Sequence, residues 1–140
     1  MTNITPNQAP ILNAKKILLV DDDRFLLDMY AIKFSKSGYE VKAADATDAA
    51  IKIIKDGYIP DIILSDVVMP GMDGLEMMAK IQDDKLAPKA VLIMLTNQGS
   101  SDDIGRARKI NIDGYIVKAT TVPSEVLKEV ESILITKKPI

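Results

Sequence analysis

The chain has 140 residues, enough for one domain that buries roughly two-thirds of the surface its unfolded form exposes. It contains no Cys and no His, which excludes disulfides, thiolate metal sites, cysteine nucleophiles and imidazole bases, and leaves carboxylate, amine and hydroxyl chemistry. Eighteen basic against twenty acidic residues give a formal charge of −2, with no basic stripe and no Trp, so the electrostatic footprint of direct nucleic-acid binding is missing.

Residues 1–14, rich in Thr, Asn, Gln and Pro, have little apolar surface to bury and read as a flexible lead-in. They lack the basic start and apolar stretch of a signal peptide, and no apolar run reaches the roughly 18 residues a membrane span needs. A soluble, cytoplasmic protein is expected. From Lys15 onward five short apolar runs, Ile17 to Val20, Val41 to Ala44, Ile62 to Leu64, Ala90 to Leu95 and Tyr115 to Val117, alternate with segments of helical period. Near-continuous apolar strands separated by helices predict a doubly wound α/β fold, a parallel sheet covered on both faces with right-handed crossovers.

The first helix is expected over Arg24 to Lys36, with Phe25, Leu26, Met29 and Ile32 at helical spacing and Gly38 just past its end. The second begins after Thr47 as its N-cap, turns Ala50, Ile51 and Ile54 inward and ends at Gly57. The third follows Gly74 with the stripe Leu75, Met78 and Ile81. The fourth, about Asp102 to Ile110, is interrupted by Gly105 and largely polar. The last has Thr121 as a cap, Pro123 in its first turn and Val126, Leu127, Val130, Ile133 and Leu134 as its buried face. Residues 137–140 read as a frayed tail, and residues 15–136 as one domain without repeats, linker or companion domain.

Two acidic placements carry the chemistry. The strand Lys16 to Val20 runs straight into Asp21, Asp22 and Asp23, and the strand Asp61 to Ser65 into Asp66. A charge at the carboxyl end of a buried strand is costly unless it is used, and that edge of an open α/β sheet is where ligands bind. Asp21, Asp22 and Asp66 gathered there would repel one another unless a cation sat among them, and an oxygen-only donor set suits Mg²⁺, which combines one or two carboxylates with water and phosphate oxygens. Thr96 and Lys118 close the fourth and fifth strands and offer a hydroxyl and a compact positive charge to a phosphoryl group. An aspartate so placed can act as a nucleophile and form an acyl phosphate. Singly, each has a plainer reading: Asp21 to Asp23 as an acidic helix start, Asp66 as a turn cap, Thr96 as a strand terminus, Lys118 as a surface amine. The seven Met residues read as core filler and turn contacts, and no glycine-rich phosphate loop is present.

Val20-Asp21-Asp22, Asp66 with Met69-Pro70 and Met72-Asp73-Gly74, Thr96 and Lys118, taken in order, resemble the receiver domain of two-component response regulators, over about Lys15 to Ile135. The separations of 30 residues from Asp66 to Thr96 and 22 from Thr96 to Lys118 are those of chemotaxis-type single-domain receivers. The resemblance implies a flavodoxin-like five-stranded sheet in the order 2-1-3-4-5. It makes Asp66 the phosphoacceptor, Asp22 a direct Mg²⁺ ligand, Asp21 a mainly water-mediated one and Val68 a ligand through its backbone carbonyl. Thr96 and Lys118 would hold the phosphoryl oxygens. Tyr115 falls where the family often has a switch aromatic, although a Tyr at a strand start equally packs its ring and exposes its hydroxyl. Asp23 is expected to be a solvated helix start outside the site.

The implied function is a stand-alone receiver that takes a phosphoryl group from a phospho-histidine on a histidine kinase or phosphotransfer protein. It would catalyse its own phosphorylation and dephosphorylation rather than serve as a metabolic enzyme. A downstream protein would read the surface of helix four, strand five and helix five, with the chain a monomer or a weak phosphorylation-dependent dimer. Three departures from the family stand out: Ala119 follows Lys118 where Pro is usual, Asn97 follows Thr96 where Ala or Gly is common, and Val68 and Gln98 occupy the positions that tune hydrolysis. A non-Pro cis bond after Lys118 is not expected, given its cost of about 2.5 to 4 kcal/mol. An apolar Val68 cannot orient an attacking water, so slow loss of phosphate is expected. Two rivals are weaker. A haloacid-dehalogenase-type phosphatase needs a second Asp two residues after the nucleophile, where this chain has Val68, and an unphosphorylated interaction module would not need the complete residue set.

Overall fold

The computed structural model describes residues 14–96, 101–117 and 122–136. Five strands and five helices alternate strictly: β1 (Lys16–Val20), α1 (Arg24–Lys36), β2 (Glu40–Ala44), α2 (Thr47–Lys55), β3 (Ile62–Asp66), α3 (Gly74–Asp83), β4 (Val91–Thr96), α4 (Ser101–Lys109), β5 (Gly114–Val117) and α5 (Pro123–Thr136). All strand pairings are parallel and the order is β2-β1-β3-β4-β5, as the alternation and the resemblance predict.

The central strands are apolar on both faces because both faces are covered. Leu18, Val20, Ile63 and Met94 point into a core closed by α2, α3 and α4, while Ile17, Leu19, Ile62, Leu64, Ile93 and Leu95 point into one closed by α1 and α5. The inward faces predicted for α2 and α3 are observed, and Met77 joins the latter. On α5, Val126, Leu127 and Val130 are buried, and Ile133 and Leu134 pack partly buried against the same core.

The face predicted for α1 is wrong. Leu27, Tyr30 and Phe34 are its buried residues, while Phe25 is 73% and Ile32 57% exposed, and Leu26 and Met29 are half-buried. Apolar residues ring this helix, so periodicity alone does not select a face. The sheet selects 27, 30 and 34, with Phe34 edge-on to Tyr39 at 5.2 Å between ring centroids.

Two caps also shift. α2 starts at Thr47 with Ala46 in the cap position, and the Thr47 hydroxyl instead donates to the Met72 carbonyl at 2.9 Å, tying this helix to the loop after β3. α5 starts at Pro123, so Val122 takes the position predicted for Thr121, which lies outside the described residues, as do residues 1–13 and 137–140. α4 forms despite its polar composition, with Ala107 buried and Asn111 in the left-handed region (φ 57°) just beyond its end.

Candidate functional site

Because every strand is parallel, the ends of β1, β3 and β4 lie along one edge of the sheet, and the residues there come from stretches far apart in the chain. Asp21, Asp22 and Asp66 each offer a carboxylate oxygen within 4.8 Å of the others. Asp21 is 3% and Asp66 7% exposed, whereas Asp22 faces solvent. The Asp23 amide donates to Asp21 at 2.9 Å, and the Asp23 carboxylate accepts from the Leu26 amide as the cap of α1. Asp23 therefore stands outside the acidic triad and helps to set it.

Three carboxylates this close, two of them buried, form an oxygen-only donor set that fits a hard divalent cation. Thr96 is buried at the end of β4, and Val68, two residues beyond Asp66, is 72% exposed. Lys118 follows the last residue of β5 and lies outside the described residues, as do Asn97, Gln98 and Ala119.

The segment after β3 is pinned from several sides. The Gly74 amide donates to the Val67 carbonyl at 2.8 Å, and Asp73 and Glu76 form a reciprocal capping box at the start of α3. That box is legible in the sequence as Asp-x-x-Glu ahead of an apolar stripe. Its second use is not. Arg106 of α4 donates to both Asp73 oxygens, at 2.9 and 3.2 Å, and approaches Asp103 at 3.6 Å. The hydrogen bond with Asp73, helped by the charges of Asp73, Asp103 and Glu76, holds the guanidinium more firmly protonated against its partial desolvation. Arg106 is 33 residues from Asp73, and no local signal announces the pair.

Tyr115 sits beside Met94 in the β4–β5 register, and its ring packs against the core on the α4 side. Its hydroxyl, expected to reach solvent if the residue only packed, is instead buried without a hydrogen-bond partner among the described residues. Burial raises the phenol pKa, Asp103 and Asp66 add to the shift, and Thr96 and Arg106 oppose it. A buried, unpartnered hydroxyl costs about 1 to 3 kcal/mol, so Tyr115→Phe should leave stability unchanged or raise it by up to about 1 kcal/mol in urea unfolding. A loss above about 1 kcal/mol would show that the hydroxyl is satisfied.

The five-stranded 2-1-3-4-5 parallel sheet with clustered acids at its carboxyl edge is the arrangement that the resemblance to receiver domains implies. Residues 17–131 match the family model described as the response regulator receiver domain, and the chain belongs to that family. It is 33% identical over 120 residues to the phosphate regulon transcriptional regulatory protein PhoB of Pseudomonas aeruginosa and 34% identical over 123 residues to the transcriptional regulatory protein ResD of Bacillus subtilis. These alignments take in 86% and 87% of this chain but 52% and 49% of the relatives, so the chain spans about half the length of the curated relatives it matches. Among solved structures, chemotaxis response regulator CheY4 of Vibrio cholerae matches with a TM-score of 0.78 at 27% identity, covering 86% of this chain and 99% of that one. A CheY-like receiver domain protein of Methanospirillum hungatei matches with a TM-score of 0.79 at 29% identity, covering 88% and 95%. Among the described residues no helix is long and apolar enough to cross a membrane.

Proposed function

We propose that this receiver domain takes a phosphoryl group onto Asp66 from a phospho-histidine of a histidine kinase or phosphotransfer protein, in the cytoplasm. The observation that carries this reading is the convergence of Asp21, Asp22 and Asp66 within 4.8 Å at the strand edge. An Asp66 carboxylate oxygen attacks phosphorus, an O–P bond forms as the N–P bond breaks, and the departing imidazole keeps the electron pair and takes up a proton. Asp22, Asp21, Asp66 and the Val68 carbonyl would hold Mg²⁺, which supplies positive charge to the phosphoryl oxygens. Thr96 and Lys118 hold those oxygens in the product. Incubation with acetyl phosphate should add the mass of one phosphoryl group only when Mg²⁺ is present; absence of labelling under that condition defeats the reading.

The domain also hydrolyses its own acyl phosphate, and Val68 makes that slow. Its exposed isopropyl group, two residues beyond Asp66, cannot accept a hydrogen bond from an incoming water. Val68→Asn should shorten the phosphate lifetime several-fold, on the order of 1 kcal/mol of barrier, followed as mass loss after removal of the donor. An unchanged decay rate would remove Val68 from that role.

Phosphorylation draws Thr96 toward the new oxygens, and Tyr115 turns into the vacated space, shifting the population between two packings of α4, β5 and α5. The grip of Arg106 on Asp73 supports this reading, since it ties α4 to the segment that follows the phosphoacceptor strand. A downstream protein reads that face. The near balance of 18 basic and 20 acidic residues favours a protein over nucleic acid as the direct partner of this domain.

A further inference from the structure

Among the described residues β2 is a sheet edge, paired with β1 on one side only. The Glu40 amide donates to the Lys15 carbonyl and the Ala44 carbonyl accepts from the Asp21 amide, so residues 40, 42 and 44 direct their backbone groups at β1. By the alternation of a parallel ladder, the N–H and C=O groups of Val41 and Ala43 face outward. The side chains alternate as well. Ala44 belongs to the core under α2, which puts Glu40 and Lys42 on that face, exposed, while Val41 packs against the core under α1.

We propose that this edge receives a second copy of the chain, paired antiparallel about a two-fold axis at Val41, so that Glu40 of each copy faces Lys42 of the other. Outward groups must meet outward groups, which leaves only alternate registers open. Centring the axis on Val41 joins the two Val41 residues by a pair of backbone hydrogen bonds. It also sets two Glu40–Lys42 pairs in the close, non-hydrogen-bonded positions where cross-strand charge acts most strongly. Moving the axis to residue 42 opposes Lys42 to Lys42, and moving it to residue 40 opposes Glu40 to Glu40. Charge thus selects one register from its neighbours. A lone Lys on an exposed edge guards against pairing, but Glu40 two positions earlier converts the guard into a selector of a self-complementary partner.

The α1 side adds a second observation. Ile32, exposed by more than half, lines a groove with Ala31, Val41 and Ala43 along the same edge. The two-fold axis would bring the α1 helices of both copies side by side and cover that groove.

Sedimentation of the unphosphorylated 140-residue chain from micromolar to millimolar concentration should show a reversible dimer. Glu40→Lys and Lys42→Glu each turn both cross-strand pairs into repulsions, so each variant alone should dimerise at least about tenfold more weakly. Their equimolar mixture should form a heterodimer, because every pair is then opposite in charge. Unchanged labelling of Asp66 would show that both variants are folded. A wild-type chain monomeric throughout, single variants that dimerise as well as wild type, or a mixture no better than its parts overturns the proposal. Amide exchange at Val41 and Ala43 should slow as concentration rises; slow exchange independent of concentration would mean that the chain's own segment covers the edge, and would also overturn it.

Discussion

Asp66→Asn should reduce labelling by acetyl phosphate in the presence of Mg²⁺ by at least roughly a thousandfold, about 4 kcal/mol of barrier at 1.36 kcal/mol per factor of ten. An amide cannot form the acyl phosphate, so the loss is of the nucleophile itself rather than of a supporting contact. The same substitution leaves Asp21 and Asp22 in place. Because all three acids lie within 4.8 Å, residual labelling would have a definite reading: a neighbouring carboxylate accepts the group. Peptide mapping of the phosphorylated chain makes that distinction. Full labelling of the variant would mean that Asp66 is not the acceptor.

Gly74→Ala should cost about 2 to 4 kcal/mol of stability in urea unfolding and slow the labelling of Asp66 in the molecules that remain folded. A Cβ at Gly74 would run into the Asp66 carbonyl oxygen and stand 2.9 Å from its carbonyl carbon and 3.0 Å from Met94 Cε. Backbone cannot rotate away as a flexible side chain does, so the end of β3 or the start of α3 must move, and with it the acceptor. The intrinsic preference of a helix for Ala over Gly, worth about 1 kcal/mol, opposes this but is too small to win. Gly105, inside α4, is the matched case, since a Cβ there meets nothing within 4 Å. Gly105→Ala should stabilise by about 0.5 to 1 kcal/mol. If Gly74→Ala also stabilised the chain, the close approach of α3 to β3 would be disproved.

The strands, the α/β alternation and the acids at strand ends were legible because each is written in a short stretch. An apolar run followed by Asp, Thr or Lys needs no distant information to be noticed. The inward faces of α2, α3 and α5 were legible for the same reason, each having one apolar stripe. α1 was misread because Phe25, Leu26, Met29 and Ile32 compete with Leu27, Tyr30 and Phe34, and the sheet beneath decides between them. Thr47 was assigned as a cap by type, yet its hydroxyl is taken by Met72, 25 residues away.

The residues alone determined a five-fold β–α alternation and a set of carboxylates, hydroxyl and amine suited to phosphate and a divalent ion, since composition and periodicity are local properties. Only the tertiary structure decided how close Asp21, Asp22 and Asp66 come, that Arg106 grips Asp73, that the Tyr115 hydroxyl is buried with no hydrogen-bond partner among the described residues, and that no described strand pairs with the outer side of β2. The physical reason is that distances between segments far apart in the chain follow from how the sheet and its covering helices pack, and no local pattern records that packing.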